Sequence, residues 1–199
     1  MSQRQDYMKR LISDSFKQLL QEYPFEKITV KMLTDRTGII RSTFYHHFQD
    51  KLDVLDWIVQ QELIEPMRKR IRQDQIKESM QWTLSRIIED SDFYHRAIRI
   101  SGKNGFEDVV NQQVSALFLE ELQRRGMDGI PGYPLLDANM LARHYAFCFI
   151  HAIIEMMTQK SERSAEEILR SYEYLVNHSL TEILMQAKPT TPGTQDVLE

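Results

Sequence analysis

The sequence has few of the residues that make tight turns and covalent cross-links. Its 199 residues include one cysteine, seven glycines and six prolines. A single cysteine excludes a disulfide framework or a multi-cysteine zinc ribbon within one chain. So few glycines and prolines argue against a fold of many short hairpins, whereas Met, Leu, Gln, Glu and Arg are plentiful and favour helix. The composition predicts a mostly helical protein in a reducing compartment.

Long hydrophobic runs are also missing. The longest unbroken apolar run, from Tyr145 to Ile150, is far shorter than the roughly 20 residues that span a bilayer. The N-terminus has no charged region followed by an apolar core and a small-residue cleavage site. With 42% hydrophobic and 27% charged residues, the chain is predicted to be a folded cytoplasmic protein that does not partner a membrane.

Motifs of common enzymes are lacking as well. The sequence contains no Gly-rich phosphate loop, no Gly-x-Ser-x-Gly elbow and no His-Glu-x-x-His pair. We therefore expect no enzymatic activity, and no cofactor.

The charges divide along the chain. The formal net charge is -4, but residues 1–51 contain nine Lys and Arg against six Asp and Glu, a balance of +3. Residues 52–199 contain 16 against 23, a balance of -7. A basic head on an acidic body suits a protein whose head binds a polyanion.

Three helices are predicted in the head. Apolar residues recur at three- and four-residue steps over 3–22, which is the spacing of one apolar face on a helix. Thr29 can cap a short second helix over 30–36, and Gly38 ends it. The next helical stretch, 41–48, begins only a few residues later, so the two helices must meet at a sharp angle. This is the spacing of a helix-turn-helix.

The rest of the chain is predicted to be helical too. Asp50 can cap a fourth helix with Asp53 as its capping-box partner, and Pro66 ends or kinks that helix. Further caps are Ser91 or Asp92, Asp137, and the capping box of Ser164 with Glu167. The periodicity predicts helices over 74–90, 91–100, 106–125, 137–158 and 164–185, with an irregular Gly- and Pro-rich loop over 126–136.

The helix over 137–158 is apolar nearly all round. Such a helix must be covered on all sides, and in a chain this small a second copy is the usual cover. The last two long helices are therefore predicted to form a homodimer surface. Residues 188–199 are predicted to be a disordered tail.

The third helix lies in the segment 38–51, which reads GIIRSTFYHHFQDK. Arg41, Ser42 and Thr43 occupy its first turn, which in helix-turn-helix proteins points at base edges. Arg41 suits a guanine, and Thr43 suits a phosphate or a thymine methyl. Tyr45 and His46 follow at the groove wall.

The same segment has an aromatic inner side. Phe44 and Phe48, four residues apart, would pack back onto the first two helices. Lys51 lies in the first turn of the following helix, where its ammonium and the exposed backbone N–H groups could hold a phosphate. The alternative is a short amphipathic helix whose polar residues simply face water.

The first 60 residues, and above all Thr43-Phe44-Tyr45-His46-His47-Phe48 with Lys51, closely resemble the TetR family of bacterial transcriptional regulators. The resemblance implies an all-α homodimer of about nine helices, with a three-helix DNA-binding head over 1–50 and a helical regulatory and dimerising body over 51–187. It implies a double-stranded, roughly palindromic DNA operator. It leaves open whether the body binds a small-molecule effector, a regulatory protein or nothing. By position, the implied DNA contacts are Thr29, Arg41, Ser42, Thr43, Tyr45, His46 and Lys51.

One residue departs from the family pattern. The family usually has Ser or Thr where this chain has Ile40, so the third helix is expected to lack its side-chain cap. The loss is roughly 1 kcal/mol unless Ser42 or a neighbour substitutes.

Further along, Phe93-Tyr94 with Lys103-Asn104-Gly105-Phe106 resembles a Gram-positive subgroup of the family that includes the dihydroxyacetone kinase operon activator. A second interpretation of the whole chain stays open. A protein of the same fold could act as a co-regulator that works mainly through protein–protein interaction.

Large, adaptable side chains are candidates to line a small-molecule pocket in the body. They are Trp57, Trp82, His95, Tyr145, Phe149 and Met156, and each could equally be a core residue.

One helix face is a candidate metal site. His144, Cys148, His151 and Glu155 fall within about 60° of one another on the helix over 137–158, and their types suit zinc. The alternative is that these side chains are hydrogen-bonded or simply packed.

Overall fold

The computed structural model describes residues 3–158 and 164–186. This part of the chain is all-α apart from one small hairpin, which confirms the predicted fold class. No described helix is long and apolar enough to cross a membrane. The predicted disordered tail, 188–199, lies outside the described residues.

Three helices form the head: α1 (Gln3–Glu22), α2 (Val30–Thr37) and α3 (Arg41–His47). Their bounds confirm the predicted helices to within one residue, because each helix has both an apolar stripe and a local start or stop signal. A short 3₁₀ turn, Phe25–Lys27, connects α1 to α2. The head core consists of Ile12, Phe16, Leu19, Leu20, Ile28, Leu33, Phe44 and Phe48.

The fourth helix does not end at Pro66, contrary to one of the two outcomes predicted. It begins as α4 (Lys51–Val59), passes through a π-helical turn at Gln60–Ile64, and continues as α5 (Glu65–Ile71). A proline ring crowds the carbonyl four residues earlier and offers no N–H to it. The wider π turn directly before Pro66 accommodates both effects, so the helix continues.

The described part of the body contains six further helical segments: α6 (Ile76–Glu89), α7 (Ser91–Ala97), α8 (Phe106–Arg124), α9 (Ala138–Thr158), α10 (Ala165–Asn177) and α11 (Leu180–Gln186). Helices α8 and α9 pack side by side, and α10 lies against α6 and α9. Their inner faces join the head core through α4, so the buried apolar residues form one continuous cluster.

Two predicted boundaries of α6 and α7 were wrong. Asp74 was expected to begin α6, but it has a φ of 61° and the helix starts at Ile76. Ser91 or Asp92 was expected to cap α7, but Asp90 occupies the N-cap position and makes no side-chain cap bond. The Asp90 carboxylate instead pairs with cations of α1 and α6. Tertiary ion pairs here override the local capping preference.

The predicted irregular loop over 126–136 contains a β-hairpin, so that prediction was wrong. Strand β1 (Gly129–Ile130) pairs antiparallel with β2 (Tyr133–Asp137). Between them Pro131 and Gly132 occupy the two central positions of the turn, and Gly132 has a φ of 85°. Proline followed by a left-handed glycine is the preferred sequence of a type II turn. The Gly and Pro content therefore marks a turn between two short strands.

The predicted last helix is broken after His178. Ser179 starts α11 with a capping box: its amide donates to Glu182 Oε2 at 2.7 Å, and the Glu182 amide donates to Ser179 Oγ at 3.2 Å. The box of Ser164 and Glu167 at the start of α10 is confirmed. A second Ser-x-x-Glu pattern inside the periodic stretch was the signal for this break.

Candidate nucleic-acid interface

Helices α2 and α3 meet at a glycine turn. Thr29 Oγ1 caps α2 by accepting a hydrogen bond from the Met32 amide at 3.2 Å. Gly38 ends the helix with a φ of 69°, and its amide donates to the Thr34 carbonyl. That left-handed conformation is costly for any residue with a Cβ. The turn is therefore tight enough to hold α3 at a sharp angle to α2, as expected of a helix-turn-helix.

The inner side of α3 is aromatic and buried. Phe44 has none of its surface exposed, and its ring centroid lies 6.0 Å from that of Phe48. Phe48 in turn meets the edge of Trp57 on α4 at 6.3 Å, and Lys9 Nζ lies 5.2 Å from the Phe48 centroid. These contacts tie α3 to α1 and α4 and fix the direction of its outer side.

The outer side of α3 is polar and available. Arg41, Ser42, Tyr45 and His46 are exposed, and Thr43 is half-buried. Within the described residues, none of these side chains makes an intramolecular hydrogen bond or ion pair. Free donors and acceptors on one rigid, exposed helix face are what base-edge readout requires.

Helix α3 lacks a side-chain cap, as expected from Ile40. Ile40 occupies the N-cap position with 70% of its surface exposed, and no side chain caps the helix. Its carbonyl still accepts from the amides of Thr43 and Phe44 at 3.0 and 3.3 Å. Ser42 does not substitute, so no side chain within 3–158 and 164–186 accepts a hydrogen bond from the first-turn amides of α3.

The amides at the start of α4 are largely occupied, which corrects the expectation that they were free for a phosphate. Asp50 Oδ1 accepts from the amides of Leu52 and Asp53 at 2.7 and 3.0 Å. Asp53 reaches back, but to the amide of Gln49 at 2.8 Å and not to Asp50 itself. The carboxylates fix the α3–α4 corner and leave Lys51 as the main cationic group there.

Lys51 is bonded to the chain that enters α2. Its Nζ donates to the carbonyls of Phe25 and Ile28 at 2.7 and 2.9 Å, and it lies 4.0 Å from the Phe25 ring centroid. Burial lowers the pKa of Lys51, and the nearby carboxylates of Glu26 and Asp50 oppose this. An ammonium has three donors, so one remains for a phosphate.

Two other cations of the head, Arg36 and Lys31, are already paired with carboxylates. Arg36 makes a bidentate contact with Glu22, with N–O distances of 2.8 and 2.7 Å, and Lys31 pairs with Asp35 at 2.6 Å. On α3, burial lowers the pKa of His47, with smaller effects from His46 and Lys9. Arg41 is therefore the cation of α3 that the structure leaves unpaired.

Five of the six side chains predicted for a ligand pocket are among those the structure describes, and these five have different neighbours. Trp57 packs on Phe48, Arg70 lies 4.1 Å above the Trp82 ring, and both His95 nitrogens contact carbonyl oxygens, those of Ser91 and Met157. Phe149 is buried against Tyr172, and Tyr145 is exposed. The Met156 side chain lies outside the described residues. Tyr145 borders the groove between α9 and α10 described below, and the other four have the separate contacts just given. Helical periodicity does not reveal which neighbour covers each face, so a shared ligand pocket stays a prediction.

The candidate metal face is not assembled into a site. His144 Nε2 and Cys148 Sγ are 3.8 Å apart, but the His151 ring stacks on Phe147. From His144 to Glu155 the helix rises about 16 Å, so a shared face does not bring all four side chains to one ion. Within 3–158 and 164–186, no three His, Cys, Asp or Glu side chains form a group that could hold a metal.

These side chains border a groove of about 490 Å³ between α9 and α10. Tyr172 forms part of its wall, and burial raises the pKa of that residue to about 12. Exposed apolar side chains also border this groove and form its apolar rim. They are Tyr145 and Phe147 on α9, and Leu175 and Val176 on α10.

Comparison with known proteins agrees with the head geometry. Residues 13–57, from α1 into α4, match the profile of the bacterial regulatory proteins of the tetR family. A curated relative from Lactococcus lactis, the HTH-type dhaKLM operon transcriptional activator DhaS, is 22% identical over 179 residues, covering 87% of this chain and 89% of that protein.

Solved structures show the same fold over the body as well. The dihydroxyacetone kinase operon activator DhaS superimposes with a TM-score of 0.60 at 21% identity, covering 84% of this chain and 93% of that one. A TetR transcriptional regulator from Streptococcus agalactiae superimposes with a TM-score of 0.63 at 22% identity, covering 88% and 96%. Both the head and most of the body therefore share one architecture with these proteins.

Proposed function

Because this chain belongs to the TetR family of bacterial transcriptional regulators, we propose that it binds a roughly palindromic operator as a homodimer. Residues 1–50 would form the DNA-binding head, and residues 51–187 the regulatory and dimerising body. One observation carries the proposal. Helix α3 has its aromatic side buried and its polar side exposed and unpaired.

The proposed DNA contacts divide into two kinds. Arg41, Ser42 and Thr43 in the first turn of α3 would meet base edges, with Arg41 bidentate to a guanine. Tyr45 and His46 would lie along the groove wall. Thr29 and Lys51 would meet phosphates, which set the register of the helix on the duplex and carry no sequence information.

The homodimer is supported by the apolar rim of α9 and α10. Tyr145, Phe147, Leu175 and Val176 are large apolar side chains exposed close together. Contiguous apolar surface of this kind marks an interaction site. A two-fold dimer uses the same patch on both copies, and it would require two-fold symmetry in the operator.

We further propose that an effector in the body controls DNA binding. A small molecule or a regulatory protein would act by favouring one separation of the two heads, and its effect cannot exceed its preference between those states. Typical coupling of 1 to 3 kcal/mol would change operator affinity by about 5- to 150-fold.

Selection of bound duplexes from a random pool tests the proposed function. The wild-type protein is expected to enrich an inverted repeat. Arg41→Ala is expected to keep the symmetry of the repeat and to relax preference at one base pair in each half, costing about 1 to 3 kcal/mol at that position. Arg72→Ala removes an arginine of the body that pairs with Glu120, and it should leave the motif unchanged.

Two outcomes of the selection would contradict the proposal. An Arg41→Ala motif identical to the wild-type motif would show that α3 does not read bases through this residue. A wild-type dimer that enriches no sequence would favour the alternative, a co-regulator that works through protein–protein contacts.

Lys51→Ala is expected to weaken binding to all sequences alike. Loss of one phosphate contact should also flatten the salt dependence, lowering the slope of log affinity against log salt by about 1. Because Lys51 also bonds the Phe25 and Ile28 carbonyls, the head should be less stable to urea. Titration at several salt concentrations measures the slope, and Lys31→Ala, which removes an exposed lysine paired with Asp35, is the control. Weaker binding with an unchanged salt slope would contradict the phosphate contact. It would show that Lys51 acts only through its bonds to the Phe25 and Ile28 carbonyls.

A further inference from the structure

Four charged side chains join the head to the body at one place. Lys17 lies on α1, Glu62 in the π turn, Arg86 on α6 and Asp90 at the C-terminal end of α6. We infer that this group, called here the junction cluster, is a latch that holds the head in one orientation on the body and can exchange for a second arrangement. The first evidence is its burial, since these side chains are only 15–30% exposed.

Lys17 supplies the contact from the head. Its Nζ lies 3.0 and 2.9 Å from the two Glu62 carboxylate oxygens and 2.5 Å from Asp90 Oδ2. It also lies 5.0 Å from the Phe93 ring centroid. One ammonium of the head is therefore held by two carboxylates and one aromatic face, all of which belong to the body.

Arg86 supplies the second cation, from within the body. Its Nη2 lies 3.2 Å from Glu62 Oε2 and 3.5 Å from Asp90 Oδ2. The two cations thus share the same two carboxylates. A shift of α6 that moves Arg86 or Asp90 would change the contacts of Lys17, because both cations share the same two oxygens, Glu62 Oε2 and Asp90 Oδ2.

The π turn provides a second, distinct arrangement of the junction cluster. Glu62 is the central residue of the turn at Gln60–Ile64, where the helix accommodates one extra residue. Converting such a turn to ordinary α-helix shifts the register by one residue, which rotates one flank by about 100° relative to the other. Glu62 would then lose its contact with Lys17 or Arg86. The turn therefore has two distinct arrangements and does not pass through a continuous range of conformations.

The Tyr94 hydroxyl is the group that would stabilise the second arrangement of the junction cluster. Its side chain is fully buried, and its hydroxyl has no hydrogen-bond partner among the described residues. Burial raises the pKa of Tyr94, and the nearby carboxylates of Glu62 and Asp90 add to this. A buried hydroxyl without a partner is unfavourable, and donation to either carboxylate would relieve it. In the latched state both carboxylates are occupied by cations, so Tyr94 competes with Lys17 for them.

Distances between spin labels on the head and the body test the latch without DNA. Labels at Gln21→Cys on α1 and Glu78→Cys on α6, in a Cys148→Ser background, report the head orientation within one full-length chain. Both label positions are exposed. Labelled chains are diluted with unlabelled protein. A minor state of at most about a tenth is expected in the wild-type protein, and Lys17→Met should raise it about tenfold, to a major population.

A double variant distinguishes a junction cluster that switches between two arrangements from one that only stabilises the fold. Adding Tyr94→Phe to Lys17→Met should return most chains to the wild-type distance, because the second arrangement loses its hydroxyl–carboxylate bond. Lys31→Met, which removes an exposed lysine of α2, should leave the distance distribution unchanged. A purely structural cluster predicts one broadened distance that Tyr94→Phe does not narrow.

The result that overturns the inference is a Lys17→Met distance distribution equal to the wild-type distribution. If Lys17→Met fails to fold by circular dichroism, Glu62→Gln decides the question by the same measurement, since it keeps the side-chain shape and removes the shared charge. The inference rests on the proposed function in one respect, namely that the head whose orientation changes is a DNA-binding head. A wild-type protein that selects no DNA while Lys17→Met shows the second distance would reject the function and keep the latch.

Discussion

Phe44→Ala is expected to destabilise the head by about 3 to 5 kcal/mol and to abolish operator binding. Phe44 is wholly buried, and its ring packs against Tyr45 at 5.4 Å and Phe48 at 6.0 Å between centroids. The substitution leaves a cavity beneath α3 that the surrounding helices cannot close. Because whole domains are stable by only about 5 to 15 kcal/mol, the loss is a large fraction of the total.

Urea unfolding measures this effect. In a Trp82→Phe background, Trp57 fluorescence reports on the head, because the indole meets the edge of Phe48, and circular dichroism reports on the whole chain. Phe44→Leu keeps most of the buried volume and is expected to cost less than about 1.5 kcal/mol. A Phe44→Ala protein with wild-type stability and wild-type operator affinity would contradict the assignment of α3 as a helix held by its aromatic side.

Leu175→Glu is expected to dissociate the proposed homodimer. Leu175 on α10 is 59% exposed at the rim of the groove, beside Val176 and opposite Phe147 of α9. A buried interface anchor contributes about 2 kcal/mol or more, and a two-fold interface contains it twice. The expected loss of about 4 kcal/mol weakens dimerisation roughly 1,000-fold. Operator affinity should fall with it, since each monomer reads only half of the site.

Sedimentation velocity over a range of protein concentrations measures the dimer. Leu135→Glu is the matched control, because Leu135 on β2 is 85% exposed and lies outside the rim of α9 and α10. It introduces the same charge in place of the same side chain. If Leu175→Glu sediments as the wild-type protein does, the two copies associate through another surface or do not associate.

The head compensates for a weak point at the start of α3. Ile40 leaves α3 without a side-chain cap, yet the helix is held at both ends by neighbours. Gly38 fixes the entry turn, and Asp50 closes the corner that follows. The turns on either side therefore hold α3 in place although its own start lacks a side-chain cap.

Predictability from sequence was highest where a signal was local. The helix of Val30–Thr37 has its cap Thr29 and its terminator Gly38 within one residue of either end, and both act through bonds to nearby amides. The α10 capping box and the Asp137 cap of α9 were equally visible, the latter confirmed by the Met140 amide donating to Asp137 Oδ1 at 2.7 Å. Such contacts span three or four residues, so the order of residue types is enough to predict them.

The sequence predicted least about contacts between residues that lie far apart in the chain. Asp90 was predicted only as the last residue of a helix, but it pairs with Lys17, 73 positions earlier in the chain. Lys51 looked free for a phosphate, but two of its donors reach carbonyls of the connection before α2. The side chains suggested for a ligand pocket face different neighbours. In each case the partner comes from another helix, which a periodic pattern cannot identify.

The order of amino acids was enough to determine the helical class, the three-helix head and the two sides of α3, because these depend on spacing within a few residues and on which side chains avoid water. Tertiary packing decided the rest: that the helix passes Pro66 through a π turn, that Lys51 braces the entry to α2, and that Lys17 meets Glu62 and Asp90. Those contacts join atoms far apart in the chain. Their energies exist only once the helices have packed, so no local preference could reveal them.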